Sequence, residues 1–221
     1  MNIWAYRNDT GTWLNPQGSG WDEQFEIKEG WPEIIETLGA LNLRGNVDKL
    51  AIVAHGDEGG LVQLKPDFTP SMVTAFRTEI AQLGQYLTPN GRLIFCACVA
   101  GACGLHGTDP GGDLLNRVST LIPNRYVIGF EVQAFLAAVG QPNRTGMLRV
   151  SSQRVALKAN TVCDDKGSLF LTEKSWFSKW SLNGRIVQLP MIEQGSRPNN
   201  RCATPGCIGH GKPTDRCRTY G

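Results

Sequence analysis

The sequence predicts an α/β protein built on a mostly parallel sheet with helices on both faces. Three observations predict it. Short apolar runs alternate with segments of helical period along the first two-thirds of the chain. Two of those runs stop abruptly at glycine-rich turns, as buried parallel strands do at their carboxyl ends. The 221 residues, 41% apolar and 19% charged, match a globular chain able to bury its own core, which excludes a disordered or collagen-like one. No apolar run approaches the ~20 residues that a spanning helix needs.

Residues 2–7 (NIWAYR) are short, aromatic and β-branched and end at the turn-like NDTGT, which predicts a strand. The Gly/Trp/Pro-rich stretch 11–30 predicts irregular chain. Pro32 suits the first turn of a helix whose stripe is Ile34, Ile35, Leu38, Leu41 and Leu43, closed by Gly45. Residues 49–54 (KLAIVA) predict a buried strand that breaks at HGDEGG, with 61–64 (LVQL) pairing back. Residues 71–87 carry Met72, Val73, Phe76, Ile80, Leu83 and Leu87 at helical spacing. Residues 92–97 (RLIFCA) predict a second buried strand, 113–122 a helix and 125–130 (RYVIGF) another strand.

These elements make an α/β domain over 1–140. Short strand candidates at 147–150, 155–158, 168–171 and 185–189 mark 141–192 as a β-rich extension. Residues 193–221 form a Cys/His-rich tail with almost no apolar residues, which cannot fold alone without a staple. The tail carries five basic and two acidic residues against a formal charge of +2 for the whole chain. That is too dispersed for a nucleic-acid footprint and reads as solvated surface.

Two residues stand at one structural place. His55 follows one buried strand, and Cys98, 43 residues later, follows another. In open parallel sheets the loops at the carboxyl ends converge on one edge, where sites form. A thiol and an imidazole delivered there make a nucleophile and its proton partner. Gly56 lets a substrate carbonyl approach the backbone, and its N–H with that of Cys98 can form an oxyanion hole. Each residue alone has a plainer reading, Cys98 as a small buried hydrophobe and His55 as a satisfied structural histidine. Their joint position is what points to chemistry. Cys96, two residues before Cys98, competes as nucleophile or belongs to the core.

Other nucleophile patterns are absent. The chain has no Gly-x-Ser-x-Gly elbow, no Cys-x5-Arg loop and no Gly-x4-Gly-Lys-Ser/Thr phosphate loop.

The stretches AIVAHGDEGGLVQL (51–64) and RLIFCACVAG (92–101) resemble the caspase-like cysteine peptidases, which include caspases, legumain, gingipains, separase and CHAT-domain proteases. The shared signature is an apolar strand ending in His-Gly, then one ending in Ala-Cys-x-x-Gly; it covers roughly residues 1–130. The resemblance implies a peptide or protein substrate, Cys98 attacking the scissile carbonyl and His55 protonating the leaving amine. It also puts Arg7 where caspases place a residue that reads the substrate side chain, and makes Asp57 either a loop-orienting residue or an exposed turn aspartate. The chain departs from caspases in lacking a Gln-Ala-Cys-Arg-Gly block and an interdomain cleavage loop, so aspartate specificity does not carry over.

Seven cysteines, odd in number, with six of them gathered in two knots and Cys163 apart, favour thiol chemistry or metal over a disulfide framework. In the tail, Cys202, Cys207, His210 and Cys217 place four soft donors within sixteen residues, the set that a structural Zn2+ needs. Cys98, Cys103 and His106 repeat the spacing of the first three tail donors, so that with Cys96 or Asp109 they could form a second metal site in which Cys98 is a ligand.

The expectation is therefore a cytoplasmic, caspase-like cysteine endopeptidase with a zinc-binding tail. The rival readings are a non-catalytic caspase-like interaction module and a zinc-dependent nucleic-acid-binding protein. The start of the chain lacks the basic lead and apolar middle of a signal peptide, while export by a dedicated machine leaves no mark in sequence.

Overall fold

The structure, a computed structural model, describes residues 1–7, 22–57, 60–97, 100–102, 108–130, 134–136, 148–150, 162–163, 169–171 and 178–187. Its centre is a seven-stranded, mostly parallel sheet. Five parallel strands lead: β1 (Asn2–Arg7), β2 (Glu23–Ile27), β3 (Val47–Val53), β6 (Leu87–Cys96) and β7 (Tyr126–Phe130). Two short strands, β4 (Gly56–Asp57) and β5 (Leu61–Val62), form a hairpin after β3. Three helices connect the sheet: α1 (Trp31–Ala40), α2 (Arg77–Leu83) and α3 (Pro110–Leu121). Then β8 (Ala134–Leu136), β9 (Leu148–Val150), β10 (Val162–Cys163) and β11 (Leu169–Leu171) make a separate four-stranded sheet. Finally β12 (Ser178–Leu182) and β13 (Arg185–Val187) join the main sheet antiparallel, giving the order β13-β12-β7-β6-β3-β1-β2.

The α/β expectation is met. Alternate strand residues Ile3, Ala5, Leu50, Ile52, Leu93, Phe95 and Val127 share one core with Ile34 and Leu38 of α1, Ile80 and Leu83 of α2, and Leu114, Leu115 and Val118 of α3. Among the described residues, helices therefore occupy one face only, where helices on both faces were expected. The cause is direction: the crossovers β2→β3, β3→β6 and β6→β7 all advance the same way across the sheet, and right-handed crossovers of one direction stay on one side. The other face is buried as well, at Trp4, Ala51, Val53, Ile94, Ile128 and Phe130.

Four local expectations are corrected. The stretch 11–30 contains strand β2, a short edge strand on which Glu23 and Gln24 lie exposed and Ile27 is buried. Acidic residues on such an edge deter pairing with another chain. The single helix expected over 71–87 is a 3₁₀ turn at Pro70–Val73 followed by the shorter α2. Val73, Phe76 and Ile80 meet the core either way, because their spacing suits both helix types. Leu87 belongs to β6, on the rung of Val47. Strand β12 was not expected at all. The strand candidate at 155–158 lies outside the described residues. No described helix is long and apolar enough to cross a membrane.

Candidate functional site

The chain leaves β1 toward β2 on one side and leaves β3 toward β6 on the other. Counted among the parallel strands alone, the order is 2-1-3-4-5, whose direction switches between β1 and β3. A crevice opens at such a switch, outside the carboxyl ends of the strands. One rung crosses three strands just below it: Tyr6 is level with Val53, and Val53 with Cys96. Arg7, half-buried, ends β1 one residue above that rung.

His55 stands two residues above it. The backbone N–H of Ala54 still donates to the Cys96 carbonyl at 3.4 Å, so β3 stays tied to β6 until the residue before His55. His55 itself is exposed, and its carbonyl accepts the Gln63 N–H at 2.9 Å. The hairpin that follows pairs Gly56 with Val62 and Asp57 with Leu61. Val62 and Phe68 then exchange both backbone hydrogen bonds, at 2.9 and 2.8 Å. The Phe68 ring meets Trp31 edge-on at 5.0 Å and lies 6.1 Å from Phe95. The imidazole thus sits on a loop stitched to a buried aromatic cluster, a rigid support of the sort a catalytic group needs. Asp57 is exposed on the hairpin.

On the other side, β6 ends at the half-buried Cys96 and is followed by the buried Ala97. Cys98 is the next residue in the chain and lies outside the described residues. The chain from Ala100 to Ala102 is held from three directions. Ala100 N–H donates to Ala97 at 3.4 Å, Gly101 N–H to Phe130 of β7 at 2.8 Å, and Gly111 N–H of α3 returns to Ala102 at 3.1 Å. These approaches leave no room for side chains. A Cβ on Gly111 would stand 2.6 Å from Ala102 N, and one on Gly101 would stand 2.7 Å from the Gly129 carbonyl. The loop that begins at His55 reaches the same place, because Gly60 packs against Pro110, 2.7 Å from its carbonyl oxygen to an added Cβ. The His loop, the start of α3 and the chain after Cys98 therefore meet backbone against backbone. In sequence these glycines look like turn formers, and of the three only Gly60, at φ +70, has the left-handed backbone that favours glycine.

Asp109 caps α3, its carboxylate accepting the Gly112 N–H at 2.9 Å. The same Oδ1 receives Lys179 Nζ at 2.7 Å, and the Lys179 side chain is only 1% exposed. Sequence reasoning missed Lys179; its sole signal was a lysine inside an aromatic-flanked run, FSKWS. Oδ1 of Asp109 is thus shared between the helix cap and the ion pair. Among the described residues no group of three or more His, Cys, Asp or Glu is gathered for a metal ion. Cys103 and His106, and the tail donors Cys202, Cys207, His210 and Cys217, lie outside the described residues.

No protein-family model matches this sequence, and a search of curated proteins returns no match.

Proposed function

We propose that the chain is a caspase-like cysteine endopeptidase acting on peptide or protein substrates. The Cys98 thiolate attacks the scissile carbonyl carbon, and the oxyanion forms near the Gly56 N–H. The intermediate collapses as the C–N bond breaks, and His55 gives the leaving amine its proton. Water then hydrolyses the thioacyl-enzyme, with His55 taking up the proton.

The observation that carries this reading is the Val53–Cys96 rung. In the sequence His55 and Cys98 each come two residues after that rung, which joins two neighbouring parallel strands. The switch in strand order at β1 and β3 favours a crevice there, and Arg7 ends the strand beside it. The donor set of the tail suits tetrahedral Zn2+, which would supply folding energy to a segment without a core of its own and no step of the reaction.

The test is cleavage of a peptide library together with iodoacetamide labelling. Wild-type protein cleaves, Cys98→Ala does not, and His55→Ala suppresses selective labelling of Cys98. A Cys98→Ala protein that cleaves at the wild-type rate overturns the reading. Selective labelling without any cleavage favours a non-catalytic module.

A further inference from the structure

We propose that Asn90–Gly91 is a site of spontaneous deamidation, and that the fold withholds the same reaction from Asn183–Gly184; neither statement depends on the peptidase reading. Both asparagines precede glycine, and both glycines precede arginine, in NGRLI (90–94) and NGRIV (183–187). Without a Cβ, glycine leaves its amide nitrogen open to the preceding carboxamide. The two asparagines are both exposed. They also share a left-handed backbone, at φ 63 for Asn90 and φ 50 for Asn183. Local sequence, exposure and starting conformation are therefore matched, and the difference lies in what holds each pair.

At Asn183 both reacting groups are engaged. The Gly184 N–H donates to Ser119 Oγ at 2.9 Å, and Asn183 Oδ1 accepts the Asn124 N–H at 2.8 Å. The ladder pair Leu182–Arg185 closes the turn immediately beside them. At Asn90 the carboxamide has no hydrogen-bond partner among the described residues. The chain around it has also left the ladder. Strand β3 advances from Val47 to Lys49 while β6 advances from Leu87 to Arg92, so residues 88–91 have no partner on β3. On the other side, the ladder with β7 starts only at Arg92. The excursion is held through the Asn90 N–H, which donates to the Asn124 carbonyl at 2.9 Å, and through Thr88 Oγ1, which donates to Asp48 at 3.0 Å. Gly91 packs against the Thr88 and Val47 backbone, so the stretch must open for its nitrogen to turn, and an unladdered stretch opens more readily than a hairpin turn. Once open, the Gly91 nitrogen attacks Asn90 Cγ, and its proton leaves with the carboxamide nitrogen as ammonia. Water opens the resulting succinimide at either carbonyl, leaving aspartate or isoaspartate.

The experiment incubates the full chain in mildly alkaline buffer and follows the Asn90 and Asn183 peptides by mass spectrometry, with isoaspartate read separately by enzymatic carboxyl methylation. Freeing two bonded groups at Asn183 slows its reaction, so in the folded protein Asn90 should convert roughly tenfold faster or more. In urea, where the fold is removed and the matched sequences remain, the two rates should agree within about twofold. Asn90→Gln should abolish the fast isoaspartate signal of the folded protein. The proposal is overturned if Asn183 converts as fast as Asn90 in the folded chain, or if Asn90 stays intact there while the urea sample reacts. An isoaspartate signal that survives Asn90→Gln undiminished overturns it as well.

Discussion

The backbone N–H of Ala54 donates to the carbonyl of Cys96 at 3.4 Å, the last bond between these two chains among the described residues. One residue further on, His55 is exposed, whereas every side chain from Leu50 to Ala54 is buried. Replacing His55 should therefore alter chemistry without altering the fold. We expect His55→Ala to keep its melting temperature within about 2 °C. Peptide cleavage should fall by roughly a hundredfold or more. Thermal denaturation and kcat/KM on one preparation check both. A melting temperature that drops along with activity would make His55 a structural residue.

The glycines where the loops meet give a second prediction. Gly111→Ala puts a methyl 2.6 Å from both the nitrogen and the carbonyl oxygen of Ala102. Alanine is a better helix former than glycine by about 1 kcal/mol, so propensity alone predicts a gain. We expect the clash to win, with a net loss of about 1–3 kcal/mol. Urea denaturation of the variant measures it, and a stabilised Gly111→Ala would mean that the chain after Ala100 can move aside freely.

The aromatic support beneath the His loop gives a third. Phe68 is fully buried and stands between Trp31, Phe76 and Phe95. Phe68→Ala should cost about 3–5 kcal/mol. Phe68→Leu keeps most of the volume and should cost much less, about 1–2 kcal/mol. If the hairpin positions His55, the leucine variant will lose more activity than its stability loss explains, read as a lowered kcat at a temperature where it is fully folded.

What was legible in the sequence follows from what the hydrophobic pattern can carry. Strands β3 and β6 are continuous apolar runs buried on both faces, so LAIV and LIF could be read without knowing their partners. Their adjacency was inferred from the βαβ order and is realised; the register that puts Val53 level with Cys96 was not read from the sequence. Strand β12 was illegible because its inward residues are polar. Lys179 is buried in an ion pair with Asp109, and Ser181 bonds Ser119 and Asn116 at 2.7 Å each. Partners 62–70 residues away satisfy these groups, and alternation along the chain cannot reveal them. β2 hid for the opposite reason, its acidic edge exposing more than it buries. The packing glycines were visible as residues but not as contacts.

Acid should act on the Asp48 carboxylate. It lies 2.8 Å from the Met1 ammonium and accepts from Thr88 Oγ1 at 3.0 Å. The hydrogen bond from the ammonium, then that from Thr88, hold it below the ordinary aspartate value of 3.8. A folded-state value lower than the unfolded one contributes stability above pH 3.8 that is lost as pH falls through the folded-state value. Asp48 is exposed, so the contribution stays under about 1 kcal/mol. Asp48→Asn should lower the melting temperature slightly at pH 6 and leave it unchanged near pH 2, with the gap shrinking as salt is added. A gap that widens toward acid would reverse the assignment.

Asp109 does two jobs with one carboxylate, and two substitutions separate them. Asp109→Asn keeps an acceptor for the Gly112 N–H and removes the charge facing Lys179. Asp109→Ala removes both. The difference between the two variants isolates the helix cap, expected at about 1 kcal/mol. The loss common to both belongs to the buried ammonium deprived of its carboxylate, about 2–4 kcal/mol given that Asp109 itself is 31% exposed. Combining either with Lys179→Met should recover most of that common part, because the buried charge is gone. Denaturant midpoints of the wild type, the three single variants and the two double variants close the cycle. A loss for Asp109→Ala with none for Asp109→Asn would show that the ion pair contributes nothing and that Asp109 serves the helix alone.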